Sequence, residues 1–154
     1  MAACIFCRII KGEIPCMKLF ESEKTLAFLD IGPLSKGHAL VIPKFHGAKL
    51  ADIPDDQLTE ILPTLKKLVS ATGATDYNIL QNNGTIAHQQ VHHVHFHMVF
   101  QIEPTIDVFV FVAHADLIQI PKPSETEGLG INWPTSAGDM DKLKALCEEI
   151  KTKM

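Results

Sequence analysis

Five of the eight histidines lie between His88 and His97, and residues 93–99 read His-Val-His-Phe-His-Met-Val. Side chains in a strand alternate between two faces, so His93, His95 and His97 share one face while Val94, Phe96 and Met98 point to the other. Three imidazoles side by side have two chemical uses. They can ligate a metal. They can also process an anionic substrate, with one ring as nucleophile and the others as proton or charge partners. An exposed polar sheet face is the plain alternative, and the apolar residues opposite the histidines argue against it. A second cluster is Cys4-Ile5-Phe6-Cys7. Cys-x-x-Cys is a metal-ligand spacing as well as a redox spacing. A thioredoxin-like reading fails because no strand leads into the motif. Cys16 and Cys147 read as ordinary thiols, buried or partly exposed.

Positioning these groups requires a small set of elements. Residues 5–11 read as a helical turn ended by Gly12. Residues 17–20 and 25–29 are short strands around Glu-Ser-Glu-Lys, a hairpin signal. After a loop over 31–37, residues 38–42 form a buried strand that Pro43 stops. The segment 54–74 carries Leu58, Ile61, Leu62, Leu65, Leu68 and Val69 at helical period. Asp55 and Asp56 suit its start, and Lys66 and Lys67 its second half. Pro63 inside this pattern predicts a kink or local break there. Residues 77–81 are a fourth strand, Asn82-Asn83-Gly84 a turn, and 93–100 a fifth strand. Residues 139–151 form a short amphipathic helix carrying Leu143, Leu146 and Ile150. The expected class is α+β: a five-stranded, mainly antiparallel sheet with one long helix and one short C-terminal helix.

The chain of 154 residues makes one domain, 1–154, with 46% apolar and 21% charged residues and a net charge of −4. This composition excludes bulk disorder, collagen and coiled coil. With no basic run, nucleic acid is not an expected partner, although a small nucleotide needs only a few local donors. The most apolar stretch, 106–113, is about a third of a membrane span, and no signal peptide is visible at the start. Reduced thiols, no membrane association and a cytoplasmic location, with the nucleus also open, are therefore expected.

The motifs together resemble the histidine triad superfamily of nucleotidyl hydrolases and transferases, most closely its Hint branch in a fungal-like form. Besides the triad, the resemblance rests on Cys4 to Pro15, on Leu26-Ala27-Phe28-Leu29-Asp30-Ile31, and on Gly37-His38-Ala39-Leu40-Val41-Ile42-Pro43-Lys44. Asn82-Asn83-Gly84 and Trp133-Pro134 add to it. The resemblance implies that His95 attacks the α-phosphorus of a nucleoside phosphoramidate, that the resulting nucleotidyl-imidazole is hydrolysed by water, and that His97 contacts the phosphate and leaving group. The attacking ring needs the correct tautomer, and the His93 carbonyl, one strand step away, could accept its other ring N–H. Asp30 would bind the ribose hydroxyls, and Ile5, Phe6, Ile9, Phe28, Leu29 and Ile31 would surround the purine. Asn82, Gln89 and Gln90 would lie near the phosphate. His88 and Gln90 depart from the Gly and the Ser or Thr that the family often has there.

Cys4, Cys7, His46 and His93 would hold a structural zinc ion, as in many microbial members. The family dimerises across the long helix and a strand into one continuous sheet, so a homodimer is expected. The implied activity is hydrolysis of adenosine 5′-monophosphoramidate or of AMP joined to an amine. The alternatives are a dinucleoside polyphosphate hydrolase of the Fhit branch, or a zinc-stabilised nucleotide-binding scaffold with little turnover. One block does not belong: removing residues 99–119 joins Met98 to Ile120-Pro121 and restores the family pattern. This suggests a translated intron or a gene-prediction artefact, with a genuine insertion as the alternative.

Overall fold

A computed structural model describes residues 4–75, 77–100 and 138–153. It contains helix α1 (Ile5–Ile10), strands β1 (Lys18–Glu21), β2 (Thr25–Leu29) and β3 (Ala39–Pro43), and helices α2 (Asp55–Leu58) and α3 (Ile61–Thr72). Strands β4 (Tyr77–Gln81) and β5 (Phe96–Phe100) and helix α4 (Met140–Lys153) complete it. The strands form one antiparallel sheet in the order β1-β2-β3-β5-β4. The α+β class with a five-stranded antiparallel sheet is as expected. The helices are not: the C-terminal helix has 14 residues and outlasts the 12 of α3.

The segment 54–74 carries the break that Pro63 predicts, but a few residues upstream of the proline, between Leu58 and Ile61. Proline lacks an N–H, and its ring clashes with the carbonyl four residues earlier, here that of Thr59. Restarting the helix at Ile61 puts Pro63 in the first turn, where N–H groups have no helical partner in any case. Thr64 then makes the first regular bond, its N–H donating to the Glu60 carbonyl at 2.9 Å. Gly73 ends α3 in the left-handed conformation (φ 67°), its N–H donating to the Val69 carbonyl.

The sheet is covered on both faces, which explains why every residue of β2 and β3 is buried. Alternation sorts the strand residues into two cores. Ala27, Leu29, Ala39, Val41, Met98 and Phe100 pack against Ile61, Leu65 and Leu68 of α3 and Leu143, Cys147 and Ile150 of α4. Leu26, Phe28, Leu40 and Ile42 face the other way, towards Phe6 of α1. Full burial of a leucine such as Leu65 or Leu68 is worth about 1.5–3 kcal/mol, so the α3 stripe fixes which face the sheet turns to that helix. The triad histidines are left on the α1 side.

Strand β5 begins at Phe96, not at His93 as the alternating pattern predicts. The reason is Pro43. Continuing the ladder from Val41↔Phe96 would bring Val94 opposite Pro43, which has no N–H to offer. The Pro43 carbonyl instead accepts from the His93 ring, and the Val94 N–H donates to the Gly47 carbonyl at 2.8 Å. Residues 93–95 thus leave the ladder but stay buried. The last two residues of β5, Val99 and Phe100, belong to the anomalous block 99–119; the rest of that block and Trp133-Pro134 lie outside the described residues.

Candidate active site and metal centre

The three triad rings hold different hydrogen bonds, and those bonds decide what each ring can do. His95 Nδ1 lies 2.6 Å from the His93 carbonyl. A carbonyl only accepts, so Nδ1 carries the proton and Nε2 carries a lone pair. His93 Nε2 lies 2.9 Å from the Pro43 carbonyl; by the same reasoning Nε2 is protonated and Nδ1 holds the lone pair. All three triad rings are buried. Burial is the main cause that lowers the pKa of His93 and of His95, opposed in each case by the carbonyl its ring donates to. The edge of Phe6 packs on both, with ring centroids 5.8 Å from His93 and 5.3 Å from His95.

His97 is set by a residue that the spacing analysis does not single out. His38, almost completely buried at the mouth of β3, places Nε2 2.9 Å from His97 Nδ1. Its own Nδ1 accepts the Leu34 N–H at 3.1 Å, so Nε2 is the protonated nitrogen. His38 therefore donates to His97 Nδ1 and leaves the His97 proton on Nε2. Burial, then the neighbouring His95 and His38, push the His97 pKa down to about 3. His38 is also held neutral, chiefly by burial, although Asp30 works in the opposite direction. The Asp30 carboxylate comes within 3.7 Å of His38 Nδ1, but that nitrogen is already accepting from Leu34. Nothing in the local pattern around residue 38 marks it as chemical. Its pairing with position 97 arises from the β3–β5 register, Leu40↔His97. Gly37, which leads into His38, adopts φ 87°, and a Cβ there would meet the Phe100 ring at 2.9 Å, so this entry to β3 requires glycine.

The residues expected around a nucleotide divide into several groups. Phe6, Ile9 and Phe28 lie on the triad side of the sheet, with Phe6 edge-on to Phe28 at 5.8 Å. Ile5 and Ile31 remain 44% and 68% exposed, apolar side chains open to solvent. Leu29 points to the opposite face, into the core under α3 and α4. Strand alternation separates it from Phe28, so it does not line this site. Asp30 accepts the Gly32 N–H through Oδ1 at 2.8 Å, which orients the carboxylate in its loop. Asn82 is half-buried after β4. Gln89 is buried and fully engaged: its amide accepts the Gly84 N–H and donates to the Ala48 and Val91 carbonyls. Its side chain staples the loop that enters the triad, whereas Gln90 beside it is exposed. His88 adopts a left-handed conformation, φ 62°, a backbone shape that favours glycine.

The second cluster brings four donors to one point. His93 Nδ1 lies 3.6 Å from Cys4 Sγ, 3.6 Å from Cys7 Sγ and 3.2 Å from His46 Nδ1; Cys7 Sγ lies 3.3 Å from His46 Nδ1. Tetrahedral zinc binds nitrogen at about 2.0–2.1 Å and sulfur at about 2.3 Å, giving edges of about 3.3 Å for N···N and about 3.6 Å for N···S. The four separations match those edges to within a few tenths of an ångström. The donor set also fits chemically, since the lone pair on His93 Nδ1 is the one that its bond to Pro43 leaves available. Asp30, His38 and His97 also converge, but both His38 ring nitrogens already have partners.

A sheet of this order, with histidines at alternate positions entering β5 between β3 and the edge strand β4, defines a nucleotide-processing histidine triad protein. The HIT domain model matches residues 11–118, and the chain belongs to that family. It is 49% identical over 152 residues to adenosine 5′-monophosphoramidase hnt1 of Schizosaccharomyces pombe, covering 99% of this chain and 98% of that protein. It is 49% identical over 153 residues to the Saccharomyces cerevisiae adenosine 5′-monophosphoramidase HNT1, covering 99% and 84%. Among solved structures, the histidine triad nucleotide-binding protein of Candida albicans is 48% identical with a TM-score of 0.62, covering 98% of this chain and 96% of that one. A zinc-bound histidine triad family protein from Mycobacterium smegmatis is 26% identical with a TM-score of 0.69, covering 98% and 92%.

Proposed function

We propose that this chain hydrolyses the P–N bond of adenosine 5′-monophosphoramidate and related purine nucleoside phosphoramidates through a nucleotidyl-His95 intermediate. The observation that carries this reading is the opposed tautomers of His95 and His97. His95 presents a lone pair on Nε2, and its Nδ1–H is held by the His93 carbonyl. His97 presents an N–H on Nε2, because its Nδ1 accepts from His38. One ring can attack phosphorus while the other protonates what leaves.

In the first step the His95 Nε2 lone pair forms the N–P bond. The P–N bond to the leaving amine breaks, and that nitrogen takes the His97 Nε2 proton. Water then attacks the same phosphorus, returns a proton to His97 and releases AMP with His95 restored. The anionic phosphate raises the proton affinity of His97 on binding, which offsets the burial that keeps that ring neutral beforehand, while His95 stays neutral and keeps its Nε2 lone pair. Asp30 would take the ribose hydroxyls, and Phe6, Ile9, Phe28 and the exposed Ile5 and Ile31 the base. The test is acid-quenched mixing with substrate and mass spectrometry of the peptides. One nucleotidyl group on His95 is expected, and none in His95→Asn. Full turnover by that variant overturns the assignment.

Zinc held by Cys4, Cys7, His46 and His93 would have a structural role: four protein donors leave no position open for substrate, and the ion would tie α1 to the segment entering β5. A homodimer is supported by β4, an edge strand that pairs only with β5 among the described residues. Leu62 on α3 (54% exposed) and Tyr77 on β4 (41%) are exposed apolar side chains on the helix and strand through which the two copies would join. A cytoplasmic location, with the nucleus also open, is part of the proposal; none of the described helices is long and apolar enough to cross a membrane. Residues 99–119 are proposed to be a retained intron or a gene-prediction artefact. Val99 and Phe100 are paired with Asn78 and Tyr77; excision would bring Ile120 and Pro121 into those places, an apolar residue followed by a strand stop. Transcript reads retaining the block in the dominant message would make it a genuine insertion.

A further inference from the structure

We infer that Cys4 and Cys7 form a peroxide-sensitive dithiol whose oxidation to an intramolecular disulfide opens the metal cluster and detunes His95. The inference rests on the zinc reading of this cluster, and three observations carry it. First, Cys4 is the N-cap of α1 and Cys7 its third helical residue. Residues three apart on a helical turn lie on one side of it, which places the two thiols on the same side. Their Sγ atoms lie within 4.8 Å of each other, and Cα atoms one helical turn apart fall in the range of about 4.4–6.8 Å that a disulfide spans. Second, both thiols are only half-buried and His46 beside them is exposed, so a small oxidant reaches them. Cys147, by contrast, is buried against the Lys18 carbonyl. Third, His93 belongs to both sites. Its ring joins the cluster through Nδ1, and its backbone carbonyl is the acceptor that fixes the His95 tautomer. No intervening residue separates the thiols' ring partner from the group that orients the nucleophile.

The chemistry balances with hydrogen peroxide as the oxidant. One thiolate attacks a peroxide oxygen and the O–O bond breaks, giving a sulfenic acid and hydroxide, which is protonated to water. The second thiolate attacks the sulfenic sulfur, the S–S bond forms, and hydroxide leaves to become a second water. Two electrons pass from the thiolate pair to the peroxide. The disulfide sulfurs no longer serve as anionic ligands, and only His46 and His93 remain as donors. A dithiol reductant reverses the step and restores the four-donor set.

The experiment uses the full-length protein purified without added zinc or chelator. Its zinc content is measured first, and it is then titrated with hydrogen peroxide in the presence of a metallochromic dye. The expected result is release of the bound zinc in step with the loss of two thiols. Peptide mapping should show a Cys4–Cys7 disulfide, kcat should fall at least tenfold, and dithiothreitol plus zinc should restore all three readouts. A protein that contains no zinc but forms the disulfide refutes the zinc reading and not the dithiol. Zinc retained at full occupancy after complete peroxide treatment overturns the inference. So does a map in which Cys16 or Cys147 carries the oxidation, or zinc loss with kcat unchanged. Cys16→Ser, which leaves both sites intact, should respond as the parent does.

Discussion

The Cys4–Cys7–His46–His93 cluster and the His95–His97 pair are built from the same kind of ring and share a residue, yet they are wired in opposite ways. In the cluster, His93 donates Nε2–H to Pro43 and directs its lone pair inward, towards two sulfurs and His46 Nδ1. In the pair, one ring offers a lone pair and the other an N–H, because a carbonyl backs the first and His38 backs the second. The ring alone does not define its role; the partner on its far nitrogen does. Convergent lone pairs make a closed, electrophile-holding centre, whereas an alternating lone pair and N–H make a site for bond exchange.

The sharpest way to break this comparison is to remove the reacting lone pair while keeping its surroundings. His95→Asn should lower kcat by three or more orders of magnitude and leave nucleotide affinity within a few-fold, since binding is assigned to Asp30 and the apolar side chains. Zinc content should not change, because His95 is not one of the four donors. Steady-state kinetics, calorimetry with AMP and metal analysis on one preparation check all three.

A second variant acts on the wiring. His38→Ala removes the N–H that His97 Nδ1 accepts and frees His97 to place its proton on the wrong nitrogen. A loss of about 10–100-fold in kcat is expected, the usual size for a group that orients another, with KM little changed. The loss should be greatest for an alkylamine leaving group and smallest for a p-nitrophenolate ester of AMP, whose leaving group needs no proton. Equal losses on both substrates would assign His38 to packing alone. On the other side of the comparison, Cys4→Ser combined with Cys7→Ser should abolish zinc binding and lower the Tm by several degrees. It should reduce kcat less than His95→Asn does, since the His93 carbonyl is backbone and survives the change.

Much of this arrangement was legible in the residues. The alternation from His93 to Met98 separates a chemical face from a core face, and the two cores of the sheet follow that division. Cys4-x-x-Cys7 marks a donor pair at the start of a short helix. What escaped reading depends on partners distant in the chain. The strand pattern from residue 93 is cut at Phe96 because Pro43, some fifty positions earlier, has no N–H for it. The 54–74 periodicity does not say that the chain will restart its helix at Ile61 to place Pro63 in the first turn. Leu29 and Phe28 are neighbours in sequence but lie on opposite faces, so a segment resemblance groups what the pleat separates. His38 is the clearest case: a lone histidine opening an apolar strand acquires its role only when β3 pairs with β5.

The burial that keeps these rings neutral also makes a prediction about acid, the smallest in size and the easiest to separate by cluster. His38 and His97 have folded-state pKa values below the ordinary histidine value of about 6.5, His97 at about 3. Below pH 6.5 the unfolded chain therefore binds protons that the folded chain refuses, and stability must fall as pH falls. Each such proton contributes a slope of at most about 1.4 kcal/mol per pH unit. Above pH 6.5 both states hold these rings neutral, and this contribution to the slope vanishes. Chemical denaturation between pH 8 and 5 should show the onset near 6.5. Replacing His38 by Asn should flatten the slope, because the unfolded chain then has one proton fewer to gain. The replacement should do the same in the Cys4→Ser, Cys7→Ser background. A slope that responds to loss of the thiols and not to His38→Asn would place the acid sensitivity in the metal cluster rather than in the buried relay.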